Sequence, residues 1–304
     1  MKRGATTLAG ILLVDKPAGM TSHDVVAIVR RATGEGRVGH AGTLDPMATG
    51  LLVVLVGPYT RLEPYLSAAR KSYRARIDFG AETDTDDAEG AVVRRAPVPE
   101  AVRDPGFAAE ALAATRGQSM QMPPSYSAIK VGGRVAYRAA RAGEALELVQ
   151  RPIDVYEATL VSVDPATPSW VVDYEVSKGT YVRALARDLG RACGSAAHLG
   201  ALRRTASGTL SLAGAHTLEA IGEAVGEGRI ETLFTDPIAA LGLPVHHADA
   251  AELANGKSIA CAVALGASES DLVAVQSDGT LAGLYRVRAD RLVPAVVLTT
   301  GGTL

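Results

Sequence analysis

The sequence predicts an α+β protein in which strands and helices are interspersed through most of the chain and a small, mostly β domain closes it. Three observations carry that expectation. Residues 71–79 place Tyr73, Ala75, Ile77 and Phe79 on one side of an alternating pattern with charged or polar neighbours, as a half-buried strand requires. Between a capping Thr21 or Ser22 and Gly34, the apolar residues Val25, Val26, Ile28 and Val29 fall on one side of a helix. After Asp236-Pro237 and Gly242-Leu-Pro244, short apolar runs separated by turn residues take over, with Asp278-Gly279 as a hairpin signal.

In chain order, Gly10 to Pro17 reads as a strand stopped by proline, followed by a turn at Ala18-Gly19 and the helix to Gly34. The stretch Arg37-Val-Gly-His-Ala-Gly-Thr-Leu-Asp-Pro-Met-Ala-Thr-Gly50 reads as a loop leading into the apolar run from Leu51 to Val56. Gly80 to Gly90 is an acidic segment whose Asp84-Thr-Asp86-Asp87 resembles a calcium loop. Ala88 and Glu89 stand where the fifth ligand and the required glycine belong, so a solvated turn is expected. Pro99 to Arg116 predicts a helix interrupted near Pro105. Pro123-Pro124 stiffens the approach to an extended piece, Tyr126 to Val131, and Arg134 to Ala142 reads as a short basic helix. Strands are expected from Ile153 to Val163 and Trp170 to Val176, and helices from about Thr180 to Cys193 and near Leu218 to Val225. The tail predicts a short helix around Ala248 to Asn255 and strands near Cys261 to Leu265, Leu272 to Gln276, Leu281 to Val287 and Leu292 to Leu298.

With 304 residues and 47% hydrophobic content the chain can fill a real core. Its longest apolar runs fall far short of the roughly 20 residues of a membrane span, and the N-terminus lacks a secretory apolar region, so a cytoplasmic protein without a membrane partner is expected. Two cysteines, Cys193 and Cys261, supply neither a zinc pattern nor a disulfide framework and read as buried thiols. The net charge of −2 hides an asymmetry: residues 205–304 carry 5 basic and 11 acidic groups, leaving 26 and 22 before them. Clusters such as Arg134, Arg138 and Arg141, or Arg183, Arg187 and Arg191, recur at helical spacing in the basic part and point to a polyanion partner.

The glycines at 34, 36, 39 and 42 do not form a phosphate-binding loop, because the sequence has no G-x-x-x-x-G-K-S/T. His246 and His247 are adjacent on a predicted loop and read as solvent-facing rather than metal-binding. That leaves Asp45. An aspartate before proline is a common turn residue, and the local sequence leaves that reading and a chemical one open. An arginine beside it would favour the ionised carboxylate, lowering its pKa as a nucleophile or base requires.

Gly39-His-Ala-Gly-Thr-Leu-Asp-Pro46, preceded by Asp15-Lys-Pro-Ala-Gly-Met20 and followed by Lys71-Ser-Tyr73, Ser177-Lys-Gly-Thr-Tyr-Val-Arg183 and Ala197-His-Leu-Gly-Ala-Leu-Arg-Arg204, resembles the TruB family of tRNA pseudouridine-55 synthases. The likeness runs in order through most of residues 10–210. It implies the pseudouridine synthase fold, a mixed, largely antiparallel central sheet flanked by helices, in a catalytic domain over residues 1–240, with a PUA-like C-terminal domain over 241–304. It also implies isomerisation of a uridine in the T-loop of tRNA. The C1′–N1 bond breaks, the uracil turns and a C1′–C5 bond forms, a reaction that needs no cofactor or metal.

By the family's pattern Asp45 is the essential aspartate, either attacking the sugar or base or deprotonating the ribose so that a glycal forms. His40 would fill the gap left by the flipped base, Tyr73 would stack on the uracil, Arg183 would pair with Asp45, and Tyr181 and Leu202 would line the pocket. Residues 121–152 resemble the family's insertion that closes on the RNA stem-loop. Lys130, Arg134, Arg138 and Arg141 there, with Lys16 and Arg204 elsewhere, are the expected contacts to the RNA backbone. The acidic tail departs from what an RNA surface requires, and Ala41 stands where many relatives have a hydroxyl residue. The expected partner is one tRNA T stem-loop per monomer.

Two other readings compete. One is an RNA-binding protein that helps tRNA fold, with Asp45 incidental. The other is a carboxylate-pair hydrolase of glycosidic bonds, which needs a second acid near Asp45, with Asp84 and Asp86 as candidates.

Overall fold

The computed structural model describes residues 8–298 except 128, 145, 254–256 and 261–270. The predicted strand near Cys261 to Leu265, the burial of Cys261 and the end of the predicted helix around Ala248 to Asn255 lie outside the described residues. The described part of that helix, up to Leu253, is a set of turns.

The first half of the chain is β1 (Gly10–Lys16), α1 (Ser22–Thr33), β2 (Val38–Ala41), β3 (Thr49–Val56), α2 (Glu63–Leu66), β4 (Lys71–Phe79), β5 (Ala81–Thr83), β6 (Val92–Arg95), α3 (Pro105–Ala113) and β7 (Gly117–Gln121). The insertion follows as β8 (Lys130–Val131), β9 (Arg134–Val135) and α4 (Ala136–Arg141). The second half has β10 (Arg151–Asp164), β11 (Ser169–Val176), α5 (Val182–Ala192), β12 (Ala197–Ser207), β13 (Leu210–Ser211), α6 (Leu218–Gly226), β14 (Phe234–Thr235) and α7 (Pro237–Leu241). The tail is β15 (Val245–His247), β16 (Ile259–Ala260), β17 (Leu272–Ser277), β18 (Thr280–Arg288) and β19 (Arg291–Val297).

Among the described residues the central sheet has ten strands in the order β14-β1-β3-β12-β4-β11-β10-β7, with β2 paired to β3 and β13 to β12. Its pairs are antiparallel except one. Strand β12 runs parallel to β3 through Arg203 opposite Thr49 and Arg204 opposite Gly50. Gly50 permits this crossing: at φ +96° a Cβ would stand 2.3 Å from the Arg204 carbonyl oxygen. A second sheet, β15-β17-β18-β19-β16, forms the small C-terminal β unit.

The apolar run Leu51 to Val56 is continuous because β3 is buried on both faces. Leu52, Val54 and Val56 join the larger core with Leu12, Val14, Val25, Val29 and Trp170. Leu51, Val53 and Leu55 face the other way with Ile11 and Leu13 and meet Ala274, Leu281, Leu284 and Leu298 of the C-terminal sheet. The tail is thereby packed on the back of the sheet, and Arg61 adds a hydrogen bond to the Val297 carbonyl at 2.6 Å.

Helix α1 begins with a capping box: Thr21 Oγ1 accepts from the Asp24 N–H, and the Asp24 carboxylate accepts from the Thr21 N–H. It ends at Gly34 in the left-handed region. Two expectations are corrected here. The stretch from Arg37 to Gly50 is not all loop, because Val38–Ala41 adds a strand to β3 and the loop proper is 42–48. The basic helix starts only at Ala136, since Arg134 belongs to a short hairpin.

Candidate active site

Asp45 sits at the turn between β2 and β3, where the Ala48 N–H returns to the Asp45 carbonyl at 3.1 Å. Three side chains from other elements hold this loop by its backbone. Ser22, the first residue of α1, donates its hydroxyl to the Leu44 carbonyl at 3.0 Å and accepts the Leu44 N–H at 2.8 Å. Lys16, fully buried at the end of β1, donates to the carbonyls of Pro17, Met20 and Pro46 at 2.9, 2.7 and 3.2 Å. Arg204, 1% exposed on β12, donates to the carbonyls of Leu51 at 2.7 Å and Gly42 at 3.0 Å. A fourth side chain, Arg183, meets the Asp45 carboxylate itself rather than the loop's backbone.

Arg183 lies in the first turn of α5. Its Nε is 2.9 Å from Asp45 Oδ2, as an ion pair whose N–H is not aimed for a linear hydrogen bond. Its Nη1 donates to the Thr85 carbonyl and its Nη2 to the Tyr126 carbonyl, each at 2.9 Å. Nη1 is also 3.5 Å from Oδ2 of Asp87. The arginine side chain is 5% exposed and that of Asp45 35% exposed, so the aspartate forms the accessible end of the pair. Burial pushes the Asp45 carboxyl above its ordinary value, against the opposing pull of Arg183, and Asp87 adds to the rise while Lys16 lowers it. This corrects the expectation that the arginine would set a lowered pKa, because desolvation is the larger effect.

Leu44 and Ala48 anchor the loop in the larger core, to which Leu202 also belongs, and the half-buried Tyr73 packs against the same core. Leu202 is further tied to β3 through a hydrogen bond from Thr49 to its carbonyl at 3.4 Å. Tyr181 is the residue before α5; its N–H and carbonyl are both held by the Gln121 side chain, at 2.9 and 3.1 Å. His40 lies on β2 opposite Val54, edge-on to His23 with ring centroids 5.5 Å apart. Burial, His23 and Arg204 lower its pKa, keeping the ring neutral at pH 7, and its buried Nδ1 has no hydrogen-bond partner among the described residues.

The expected RNA-backbone residues divide. Lys16 and Arg204 are interior braces of the Asp45 loop, spent on carbonyl oxygens, so they are not on the surface where a phosphate contact was expected. Burial brings the Lys16 ammonium down to about 8. Arg134, Arg138 and Arg141 are exposed on the insertion; Arg134 pairs with Glu144 and Arg141 lies 4.6 Å over the Tyr137 ring. The Lys130 side chain lies outside the described residues.

The sequence reading missed what the acidic segment does. It is not a solvated turn: Asp86 and Asp87 are buried, and Asp86 has φ +61°. Asp87 accepts the Thr85 hydroxyl at 2.6 Å and the Glu89 N–H at 3.1 Å beside Arg183. Asp86 pairs with Arg187 at 2.8 Å, and Glu82 with Arg191 at 2.6 Å and Arg94 at 2.5 Å. The stripe Arg183, Arg187, Arg191 therefore meets carboxylates of its own chain rather than a polyanion. The signal lay in two segments far apart: arginines at intervals of four and acids between residues 82 and 87. The acid that approaches Asp45 through their shared arginine is Asp87, not Asp84 or Asp86, and its oxygens are already committed. Cys193 is buried as expected, its thiol pushed up to about 11. No three of His, Cys, Asp or Glu converge as metal ligands among the described residues, and no described helix is long and apolar enough to cross a membrane.

Comparison with known proteins gives the family and the fold. The family model described as TruB family pseudouridylate synthase (N terminal domain) matches residues 30–182, and that of the tRNA pseudouridylate synthase B C-terminal domain matches residues 183–244. The chain is 42% identical over 302 residues to a tRNA pseudouridine synthase B of Arthrobacter sp. (strain FB24), covering 95% of this chain and 96% of the relative. It is 51% identical over 216 residues to that of Thermobifida fusca (strain YX), covering 69% and 73%. In fold it is similar to a chain in the crystal structure of a Cbf5-Nop10-Gar1 complex, with a TM-score of 0.72 at 22% identity over 96% of this chain and 85% of that one. The expected α+β architecture, a mixed and largely antiparallel sheet flanked by helices with a C-terminal β unit, is the one the structure has.

Proposed function

From the premise that the chain belongs to the TruB family of pseudouridylate synthases, we propose that it isomerises uridine to pseudouridine at position 55 in the T-loop of tRNA. The observation that carries the reading is the Asp45–Arg183 pair at 2.9 Å: a carboxylate one-third exposed, backed by a buried guanidinium, on a loop braced from three further elements by Ser22, Lys16 and Arg204. A surface turn needs no such bracing.

The chemistry asks for little else. The uracil leaves C1′ through N1, rotates and returns through C5; the C5 proton is lost and N1 takes one up, so substrate and product are isomers. Asp45 acts first, as nucleophile or as base toward the ribose, and Arg183 supplies the counter-charge that keeps part of it ionised despite burial. Leu44 and Leu202 provide an apolar wall that keeps water from the cleaved intermediate, and Tyr73 packs there to stack on the flipped base. His40, neutral and unheld at Nδ1, is free to turn into the gap in the RNA stack. Arg138 and its neighbours on the insertion contact phosphates. Residues 1–240 carry catalysis and 241–304 the small PUA-like domain, in a cytoplasmic monomer that takes one T stem-loop.

Mapping pseudouridine in tRNA from cells lacking the protein tests this. Loss at position 55 alone, restored by the parent gene, is the expected result; an unchanged position 55 contradicts it.

A further inference from the structure

One ion pair in this region is not used by the reaction as described. Arg187, one helical turn beyond Arg183 on α5, spends its whole guanidinium inside the protein: Nη1 on Asp86 at 2.8 Å, Nη2 on the Met122 carbonyl at 2.9 Å and Nε on Asp188 at 2.9 Å. Arg183 spans the same two segments, through the Thr85 carbonyl and Asp87 on one side and the Tyr126 carbonyl on the other. The two arginines thus form a double clamp on the turn at 85–87 and on residues 122–126, where the insertion leaves the central sheet. Asp86 and Arg187 side chains are each 10% exposed, and Asp86 holds an uncommon left-handed backbone while its carbonyl accepts the Leu199 N–H of β12 at 3.0 Å. A surface ion pair would impose none of this.

We propose that Asp86 and Arg187 are positioning residues for the reaction: they hold the root of the insertion and the Asp87 turn in register on α5, and so set where Arg183 meets Asp45. The proposal rests on the reading of the chain as a uridine isomerase. The coupling runs through charge as well as through contact. Asp86 is faced by Arg187, Arg183, Arg191 and Asp188, and Asp45 by Arg183, Asp87 and Lys16. Arg183 is therefore divided among carboxylates, and each member of the pair changes its share in a different direction.

The test is the single-turnover rate of pseudouridine formation at saturating T-loop RNA, followed against pH for the parent, Asp86→Asn and Arg187→Gln, with RNA affinity and thermal melts alongside. In Arg187→Gln the unpaired Asp86 draws on Arg183, so the rate at neutral pH falls about tenfold and the acid limb moves up, as a small misplacement at a reacting group does. In Asp86→Asn more of Arg183 is left to Asp45, and the acid limb moves down. RNA affinity stays within about threefold in both, because both side chains are nine-tenths buried. Should Arg187→Gln not fold, Arg187→Met replaces it with the same expected direction, since it too leaves Asp86 without its counter-charge while keeping the length of the side chain. Unchanged acid limbs, or limbs that move the same way in step with the melting temperature, overturn the proposal in favour of a purely structural pair. A parent protein that makes no pseudouridine overturns the functional reading itself, and this proposal with it.

Discussion

Nε of Arg183 lies 2.9 Å from Oδ2 of Asp45, and the two residues are 138 positions apart, on a helix and on the loop between two strands. The arginine is buried and fixed by two carbonyls, so the aspartate is positioned by the pair rather than the reverse. Replacing Arg183 with lysine keeps a charge but loses the planar fork that spans Asp45, Thr85 and Tyr126. The single-turnover rate is expected to fall on the order of 100-fold, with RNA binding nearly intact. A variant within a few-fold of the parent would show that the fork is not needed.

Asp45 has a folded pKa above the ordinary carboxylate value of 3.8, mainly through burial. Between the unfolded and folded values the native state binds more protons than the unfolded one, so ionisation of Asp45 costs stability as pH rises through that window. Asp45→Asn removes that cost. Its melting temperature at neutral pH is expected to equal or exceed the parent's, while the two converge in acid. The rate of the parent, which needs the ionised form, should fall on an acid limb above pH 3.8. Melts and rate profiles over the same pH range check both.

Ser22 bonds both backbone groups of Leu44 from a buried position. Ser22→Ala leaves a buried N–H and C=O without partners, at about 1–3 kcal/mol. A clear fall in melting temperature is expected, with a rate loss at temperatures where the variant is still folded, because the loop carrying Asp45 loses a brace. A rate that tracks only the folded fraction would assign Ser22 to stability alone.

Arg138 is exposed on the insertion, in α4. Arg138→Ala should weaken RNA binding and reduce the slope of log affinity against log salt by about one, with the rate at saturating RNA unchanged. An unchanged slope removes it from the phosphate contacts.

Local pattern carried most of the fold. Tyr73 to Phe79 alternates as β4 does, the capping box at Thr21 and Asp24 starts α1 where expected, and Asp278 and Gly279 both take positive φ at the tail hairpin. What stayed hidden depended on contacts distant in sequence. Whether Arg204 faces RNA or the Gly42 carbonyl is decided by the parallel crossing of β12 on β3, for which no local signal exists. Asp86 and Asp87 look like a hydrated turn until α5 brings Arg183 and Arg187 against them. The candidate site was legible where family motifs marked the Asp45–Arg183 pair that the structure brings together, and illegible where its braces are unremarkable residue types such as Ser22 and Gln121.

The central claim is that Asp45 acts on the uridine rather than closing a turn. Purified Asp45→Asn, assayed on a T-loop transcript beside the parent with RNA binding measured in parallel, tests it most directly. Parent-like binding with no pseudouridine formed is the predicted result. Pseudouridine formed at the parent's rate would contradict the assignment and leave an RNA-binding protein whose aspartate is incidental, and free uracil among the parent's products would mark a hydrolase instead.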